Sequence, residues 1–414
     1  MLIGIPKETH PLENRVATTP KVIERLKKKG FEICVERGAG IKSSISDKEY
    51  EKVGATLIDN AKEVWEKAQI ILSIHPPSIR PEGSDFAGED ECSWFRSDQT
   101  LITLVRPATS KELVEKLQQT KGTVFALDCI PRITRAQKMD VLSSMANIAG
   151  YRAVIEAANA YGGFFSGQMT AAGKSAPAKV LVIGAGVAGL AAIGAAKNLG
   201  AIVRAFDVRA AAREQVLSMG AQFLTVEIEE SGDGGGGYAK TMSKEFIEAE
   251  MALFREQAKD TNIVITTALI PGKKAPILWE EDMLKLMPDG GVVVDLAAEM
   301  GGNCAGTLAD QCVEKHGIKI LGYTDLASRM STVSSEFFSM NLYHLLDELG
   351  GAEGWNIDLE NEVIRGSIVL HQGEMLWPPP RIEPSPKPKE EPTPEPQQEV
   401  EKIQSKESSG SWRP

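Results

Sequence analysis

The chain has 414 residues, 42% hydrophobic and 25% charged, the balance of a soluble globular protein with room for two or three domains. Its net charge of −11, with no basic stripe carrying interleaved aromatics, argues against a nucleic-acid partner. Five cysteines (Cys34, Cys92, Cys129, Cys304, Cys312) form no CxxC pair and five histidines show no zinc spacing, so reduced thiols and no metal centre are expected.

The N-terminal run MLIGIPKETH reads as strand and turn and lacks the apolar core of a signal peptide. Residues 1 to about 130 alternate apolar strands with amphipathic helices. Strands are expected at Leu2–Ile5, Phe31–Glu36, Gln69–Ile74, Leu101–Val105 and Thr123–Asp128, and helices at Lys21–Lys29, Lys62–Lys67 and Lys111–Gln119. The alternation predicts an α/β domain with a mostly parallel sheet. A proline-free stretch from about Arg135 to Ala160 predicts one long bridging helix.

The next segment carries the most specific local signal. An apolar strand, Lys179–Ile183, runs into Gly184-Ala185-Gly186-Val187-Ala188-Gly189, then a helix-like stretch, Leu190–Asn198, then a second strand ending in Asp207. Strand, glycine turn, helix, strand and acid in this order make a dinucleotide-binding βαβ unit. The glycines allow a tight turn and close approach of a pyrophosphate to a helix N-terminus. The Asp207 carboxylate suits the adenosine ribose and repels a 2′-phosphate, favouring NAD over NADP; Arg209 pulls the other way, because an arginine nearby can accept that phosphate. Further strands are expected at Ile263–Thr267, Gly291–Asp295 and Ile318–Leu321, followed by a helix, Ser335–Leu349, that returns the chain to the first domain. The long apolar stretch near 178–193 is this glycine-broken unit and not a membrane span.

Two segments break the pattern. Residues 228–240 hold five glycines within six positions, followed directly by Tyr238, which predicts a mobile lid over a ligand. Nine of the 22 prolines lie between 378 and 396, which predicts an extended, disordered tether. The expected architecture is therefore α/β, with two Rossmann-like domains of mostly parallel sheet separated by a cleft, plus a disordered Pro-rich C-terminal tail. The first domain is expected to take residues 1–134 and 328–378, the nucleotide domain 135–327 and the tether 379–414.

The start of the bridging helix is unusually polar, with Arg132, Gln137, Asp140 and Ser143. On a continuous helix Gln137, Asp140 and Ser144 share one face, with Ser143 beside Gln137. A capped, solvated helix start is the alternative reading of the spacing.

This segment, PRITRAQKMDVLSSMANIAGYRAV at 131–154, resembles the alanine dehydrogenase/transhydrogenase family. Within the family it resembles the NAD(H)-binding component of proton-translocating NAD(P) transhydrogenases. IGIPKE at 3–8, ENRVATTP at 13–20, GYAK at 237–240, TTALIPGKKAP at 266–276 and VDLAAEMGGNC at 294–304 extend the resemblance over about residues 1–380. It implies that Arg132, Gln137, Asp140 and Ser143 orient the NADH nicotinamide and its amide, with Gln137 reaching the second nucleotide's ribose. It implies that Tyr238 closes over bound NAD(H), that Val187, Asp207, Val208, Arg209, Gly237 and Leu269 line the NAD site, and that Glu250 matches another polar lining position.

The amino-acid-oxidising branch of the family uses an arginine, a lysine, a histidine and an aspartate. Arg15 matches the arginine, but His75, Arg106 and Glu299 stand at the other three, so that site looks dismantled. Transhydrogenation has no such need: hydride passes between two nicotinamide rings held in near-attack geometry, without a general base. No second GxGxxG with its strand appears, so NADP(H) is expected on a partner. The resemblance implies an NADP(H)-binding beta subunit, a membrane-spanning subunit or segment, a homodimer, and a peripheral place on the cytoplasmic side of the inner membrane. The proline-rich tail resembles the linker before a first membrane span. An alanine dehydrogenase-like enzyme and a non-catalytic NAD(H)-binding module remain the alternatives.

Overall fold

The computed structural model describes residues 1–228, 230, 232, 242–269 and 274–380. The first lobe begins with β1 (Leu2–Ile5), α1 (Pro20–Lys28), β2 (Glu32–Glu36), α2 (Asp47–Lys52), β3 (Thr56–Ile58), α3 (Ala61–Lys67), β4 (Ile70–Leu72), β5 (Thr100–Thr103), α4 (Lys111–Gln119) and β6 (Thr123–Ala126). Local chemistry sets the helix starts. Pro20 occupies the first turn of α1, where a missing N–H costs nothing, and Ser46 with Glu49 forms a capping box on α2. Alternate strand residues feed two apolar layers: Ile3, Ile5, Ile33 and Val35 on one face, Cys34, Ile71, Leu101 and Val124 on the other.

The long bridging element differs from the expected single helix. Thr134–Met139 forms a 3-10 turn, and α5 spans Val141–Ala160. Asp140, with φ −73° and ψ 89°, is the residue between them. Its side chain caps α5 by accepting from Ser143 N at 2.9 Å and Ser143 Oγ at 2.6 Å. An aspartate that competes for backbone donors in this way starts a helix rather than continuing one. The shared face expected for Gln137, Asp140 and Ser144 is therefore not formed.

The second lobe comprises β7 (Gln168–Thr170), β8 (Gly173–Ser175), β9 (Lys179–Ile183), α6 (Val187–Asn198), β10 (Ile202–Phe206), α7 (Ala212–Ser218), β11 (Gln222–Leu224), α8 (Lys244–Ala258), β12 (Ile263–Thr266), α9 (Glu281–Leu286), β13 (Val292–Asp295), β14 (Cys312–Lys315) and β15 (Ile318–Leu321). Its sheet runs β11-β10-β9-β12-β13-β15-β14, parallel except for β14. The central strands are continuous apolar runs because both faces are covered. β7 and β8 form a separate antiparallel hairpin.

Helix α10 (Ser331–Glu348) then sends Phe338, Leu342, Leu345 and Leu346 into the core of the first lobe, followed by α11 (Glu362–Ser367), β16 (Ile368–His371) and β17 (Glu374–Met375). β16 pairs antiparallel with β6, so the first sheet reads β17-β16-β6-β5-β4-β1-β2-β3. Between the lobes α5 packs closely on α6: a Cβ on Gly150 would lie 2.0 Å from the Ala188 carbonyl oxygen.

Candidate functional site

The chain order of the second sheet reverses between β9 and β12, and the crevice at the carboxyl ends of these strands is where such sheets bind ligands. The glycines divide the work there. Gly184 has φ +95°, and a Cβ on it would lie 2.4 Å from Thr267 Oγ1, so the residue needs both a left-handed conformation and the space. Gly189 is fixed by packing, since its Cβ would lie 1.8 Å from the Gly184 carbonyl oxygen. Gly186, at the N-cap of α6, is different: its Cβ would meet nothing nearer than Arg209 Nη2 at 3.9 Å. Open space there, in front of the first backbone N–H groups of α6, fits the approach of a pyrophosphate.

Asp207 follows β10. Its Oδ2 accepts from Ala185 N at 2.7 Å and Arg209 Nη2 at 2.7 Å, and its Oδ1 from Arg209 N at 2.8 Å and Nε at 2.9 Å. One carboxylate thus ties the glycine turn to the end of the neighbouring strand and holds the arginine in place. Glu250, on α8, is buried; burial, then the Asp207 charge, pushes its carboxyl up to about 7. Val187 and Leu269 are exposed apolar side chains. Val208 O accepts from Gly232 N at 2.8 Å, which places that start of the glycine-rich segment against the nucleotide crevice. Ser243 Oγ donates to Glu230 Oε2 at 2.5 Å, tying the two flanks of the segment together. Gly237 and Tyr238 lie outside the described residues.

Sequence reasoning missed the scaffold beneath this crevice. Asp295 is fully buried at the end of β13 and accepts five hydrogen bonds: from Thr266 Oγ1, Ala297 N, Asn303 N, Cys304 N and Thr307 Oγ1, at 2.6–3.0 Å. Asn303 carries the network onward, accepting from Ala268 N at 3.1 Å and donating to Ala268 O at 2.9 Å and Pro276 O at 2.8 Å. VDLAAEMGGNC thus holds Thr266, Ala268 and Pro276 in position. An acid followed eight residues later by an asparagine is too common a spacing to have disclosed this.

Among the polar residues of 131–144, Arg132 and Gln137 are exposed and Asp140 and Ser143 half-buried. Asp140 and Ser143 are brought together as the α5 cap; Gln137 sits on the preceding 3-10 turn. Ala136 and Met139 anchor that turn in the core.

The ENRVATTP segment is pinned by buried hydroxyls: Val16 N donates to Ser335 Oγ in α10 at 3.0 Å, and Ser43 Oγ, on the Ile41–Ser43 turn, donates to Asn14 O at 2.7 Å. Arg15 grips Glu13 through Nε at 2.7 Å and Nη2 at 2.6 Å, and His75 Nε2 lies 2.9 Å from Glu13 Oε2. Burial pushes the Glu13 carboxyl up, but bonds from Arg15 and His75 outweigh it and hold it well below the usual range. Glu8, which accepts from Ile74 N at 2.6 Å, is pushed up to about 7 by burial. Arg106 pairs with Glu299 of the second lobe. Burial pushes the thiols of Cys34 up to about 11 and of Cys92 and Cys129 to about 12, which removes them as nucleophiles. Among the described residues no His, Cys, Asp and Glu cluster could hold a metal.

Two lobes at the two ends of a bridging helix, with a switch-point crevice in the second, define an α/β dinucleotide-binding architecture. The family model described as alanine dehydrogenase/PNT, N-terminal domain, matches residues 4–149, and that for the C-terminal domain matches residues 153–378. The chain belongs to this family. It is 50% identical over 384 residues to the NAD(P) transhydrogenase subunit alpha of Cereibacter sphaeroides, covering 92% of this chain and 72% of that one. It is 48% identical over 388 residues to the NAD(P) transhydrogenase subunit alpha of Haemophilus influenzae, covering 93% and 73%. The crystal structure of a transhydrogenase from Sinorhizobium meliloti superposes with a TM-score of 0.78 at 39% identity, covering 91% of this chain and 99% of that one.

Proposed function

We propose that this chain is the NAD(H)-binding component of a proton-translocating NAD(P) transhydrogenase. It exchanges hydride between NADH in its second lobe and NADP⁺ on a beta subunit, with proton movement carried by membrane-spanning parts of the assembly. The observation that carries this reading is the glycine-turn crevice of the second lobe, fixed by Asp207, in a chain whose polar 131–144 segment presents Gln137 to solvent. When bound, NADH supplies the hydride.

The chain's own residues bind, orient and exclude water. The Gly186 gap and the α6 N-terminus receive the pyrophosphate, Asp207 the adenosine ribose, and Val187, Val208 and Leu269 the apolar faces. Arg132, Asp140 and Ser143 orient the nicotinamide amide, and Gln137 faces the second nucleotide. No general base is called for, because hydride transfer between two rings changes no protonation at a substrate heteroatom. The bond between Arg106 and Glu299 supports this reading over an amino-acid dehydrogenase, since both positions are occupied with each other.

Self-association belongs to the same proposal. The β7–β8 hairpin leaves Gln168–Thr170 exposed, Met169 included, and an isolated two-stranded hairpin is marginal in water without a surface to cover it. No helix among the described residues is long and apolar enough to cross a membrane, which supports a peripheral position on the membrane-bound partners. Mixing the chain with the NADP(H)-binding partner tests the whole reading: hydride passes from NADH to an NADP analogue, and no transfer under any condition overturns it. Gln137→Asn slows that transfer and leaves NADH affinity largely intact.

A further inference from the structure

The 3-10 turn Thr134–Met139 presents Gln137 to solvent, and something must set its angle. Ala136 and Met139 are fully buried, but apolar contacts resist rotation only weakly. Arg135 ties one side to α11 and α10, with Nη2 donating to Asn361 Oδ1 at 2.6 Å and lying 3.6 Å from Glu348 Oε1. On the other side Asn341, in the middle of α10, donates from Nδ2 to the Lys138 carbonyl oxygen at 2.9 Å.

Asn341 is 5% exposed, and its Oδ1 has no hydrogen-bond partner among the described residues. A buried amide with an idle oxygen costs stability that leucine at the same position would not. Its neighbours on α10, Phe338, Leu342 and Leu345, all pack apolar side chains into the core. Asn341 is oriented by a single bond, and that bond ends on the residue next to Gln137.

We propose that Asn341 is a positioning residue for hydride transfer, holding the Lys138 carbonyl so that the turn presents Gln137 at one fixed angle. The inference rests on the transhydrogenase reading. Because α10 packs along Phe338, Leu342 and Leu345 into the core of the first lobe, the same bond ties the turn to that core.

The test is single-turnover hydride transfer in the mixture with the NADP(H)-binding partner, beside NADH titration and amide exchange at 134–140. Asn341→Leu is expected to slow transfer about tenfold, the scale of a sub-ångström misplacement of reacting groups. NADH affinity should stay within about twofold, and amide exchange in the turn should rise. Combined with Gln137→Asn, it should add little further slowing, because it acts through Gln137. Should Asn341→Leu fail to fold, Asn341→Ser, too short to reach the carbonyl, takes its place with the same expectations. An unchanged rate in a folded variant, or full multiplicative slowing in the double variant, overturns the positioning role. If the unsubstituted chain itself transfers no hydride, the transhydrogenase reading falls and this inference with it.

Discussion

Arg106 and Glu299, 193 residues apart, form a two-point ion pair between the two lobes, Nη1 with Oε1 and Nη2 with Oε2. Their side chains are 54% and 51% exposed, so water and salt screen the pair, and exposed pairs contribute about 0–1 kcal/mol. A double-mutant cycle of Arg106→Ala and Glu299→Ala, read by chemical denaturation, should give a coupling below about 1 kcal/mol that shrinks as salt is raised. A salt-insensitive coupling above about 2 kcal/mol would place the pair in a dry interface instead.

Asp207 does two jobs, anchoring the Ala185 N–H of the glycine turn and holding the Arg209 guanidinium. Asp207→Ala leaves the turn amide without its acceptor and releases the Arg209 guanidinium; on the proposed function it also loses a charge-assisted bond to the ribose and frees an arginine that can accept a 2′-phosphate. NADH affinity should fall about 10- to 100-fold, the range of one hydrogen bond to a charged group, while NADPH affinity falls less or rises. Calorimetric titration of both nucleotides against the variant checks this; equal losses for the two would remove Asp207 from the choice of nucleotide.

Much of this site was legible because its signals are local. β1, β9 and β15 fall at their expected bounds, and the other expected parallel strands within about two residues at either end, since a strand covered on both faces has to be an unbroken apolar run. Asp140 was visible as a polar residue but not as a break, because helical spacing looks the same on both sides of a cap. The β7–β8 hairpin is built of small and polar residues without alternation, and the antiparallel edge strand β14 is half exposed, so neither declares itself. The pairings Arg106–Glu299 and Asn341–Lys138 join residues 193 and 203 positions apart; no spacing rule reaches that far.

Glu250 gives a pH signature. Its carboxyl is raised to about 7 in the folded chain, by burial first and by Asp207 second, against an ordinary value of 4.5. A carboxyl raised on folding binds its proton more tightly in the native state, so its contribution is fully present below pH 4.5 and is lost as pH rises through about 7. Glu250→Gln, which keeps the neutral shape, should therefore match the wild type near pH 4 and melt at a higher temperature near pH 8. Thermal unfolding of both proteins across that range checks it; parallel curves would mean that Glu250 titrates as an ordinary exposed acid.

Gly150 is where the bridging helix and the nucleotide helix meet. A Cβ there would lie 2.0 Å from the Ala188 carbonyl oxygen, a backbone atom in the first turn of α6 that cannot swing aside. Gly150→Ala must push α6 away from α5, moving the helix N-terminus that the proposed function assigns to the pyrophosphate. Overpacking of this kind costs about 1–3 kcal/mol, so the urea midpoint should fall by that equivalent with an unchanged slope, and NADH affinity should fall in parallel. Gly162→Ala is the control: a Cβ at that position meets nothing within 4 Å, and the variant should keep both the urea midpoint and the NADH affinity of the wild type. If Gly150→Ala unfolds no more readily than Gly162→Ala, the close α5–α6 crossing is not what holds the nucleotide helix in place.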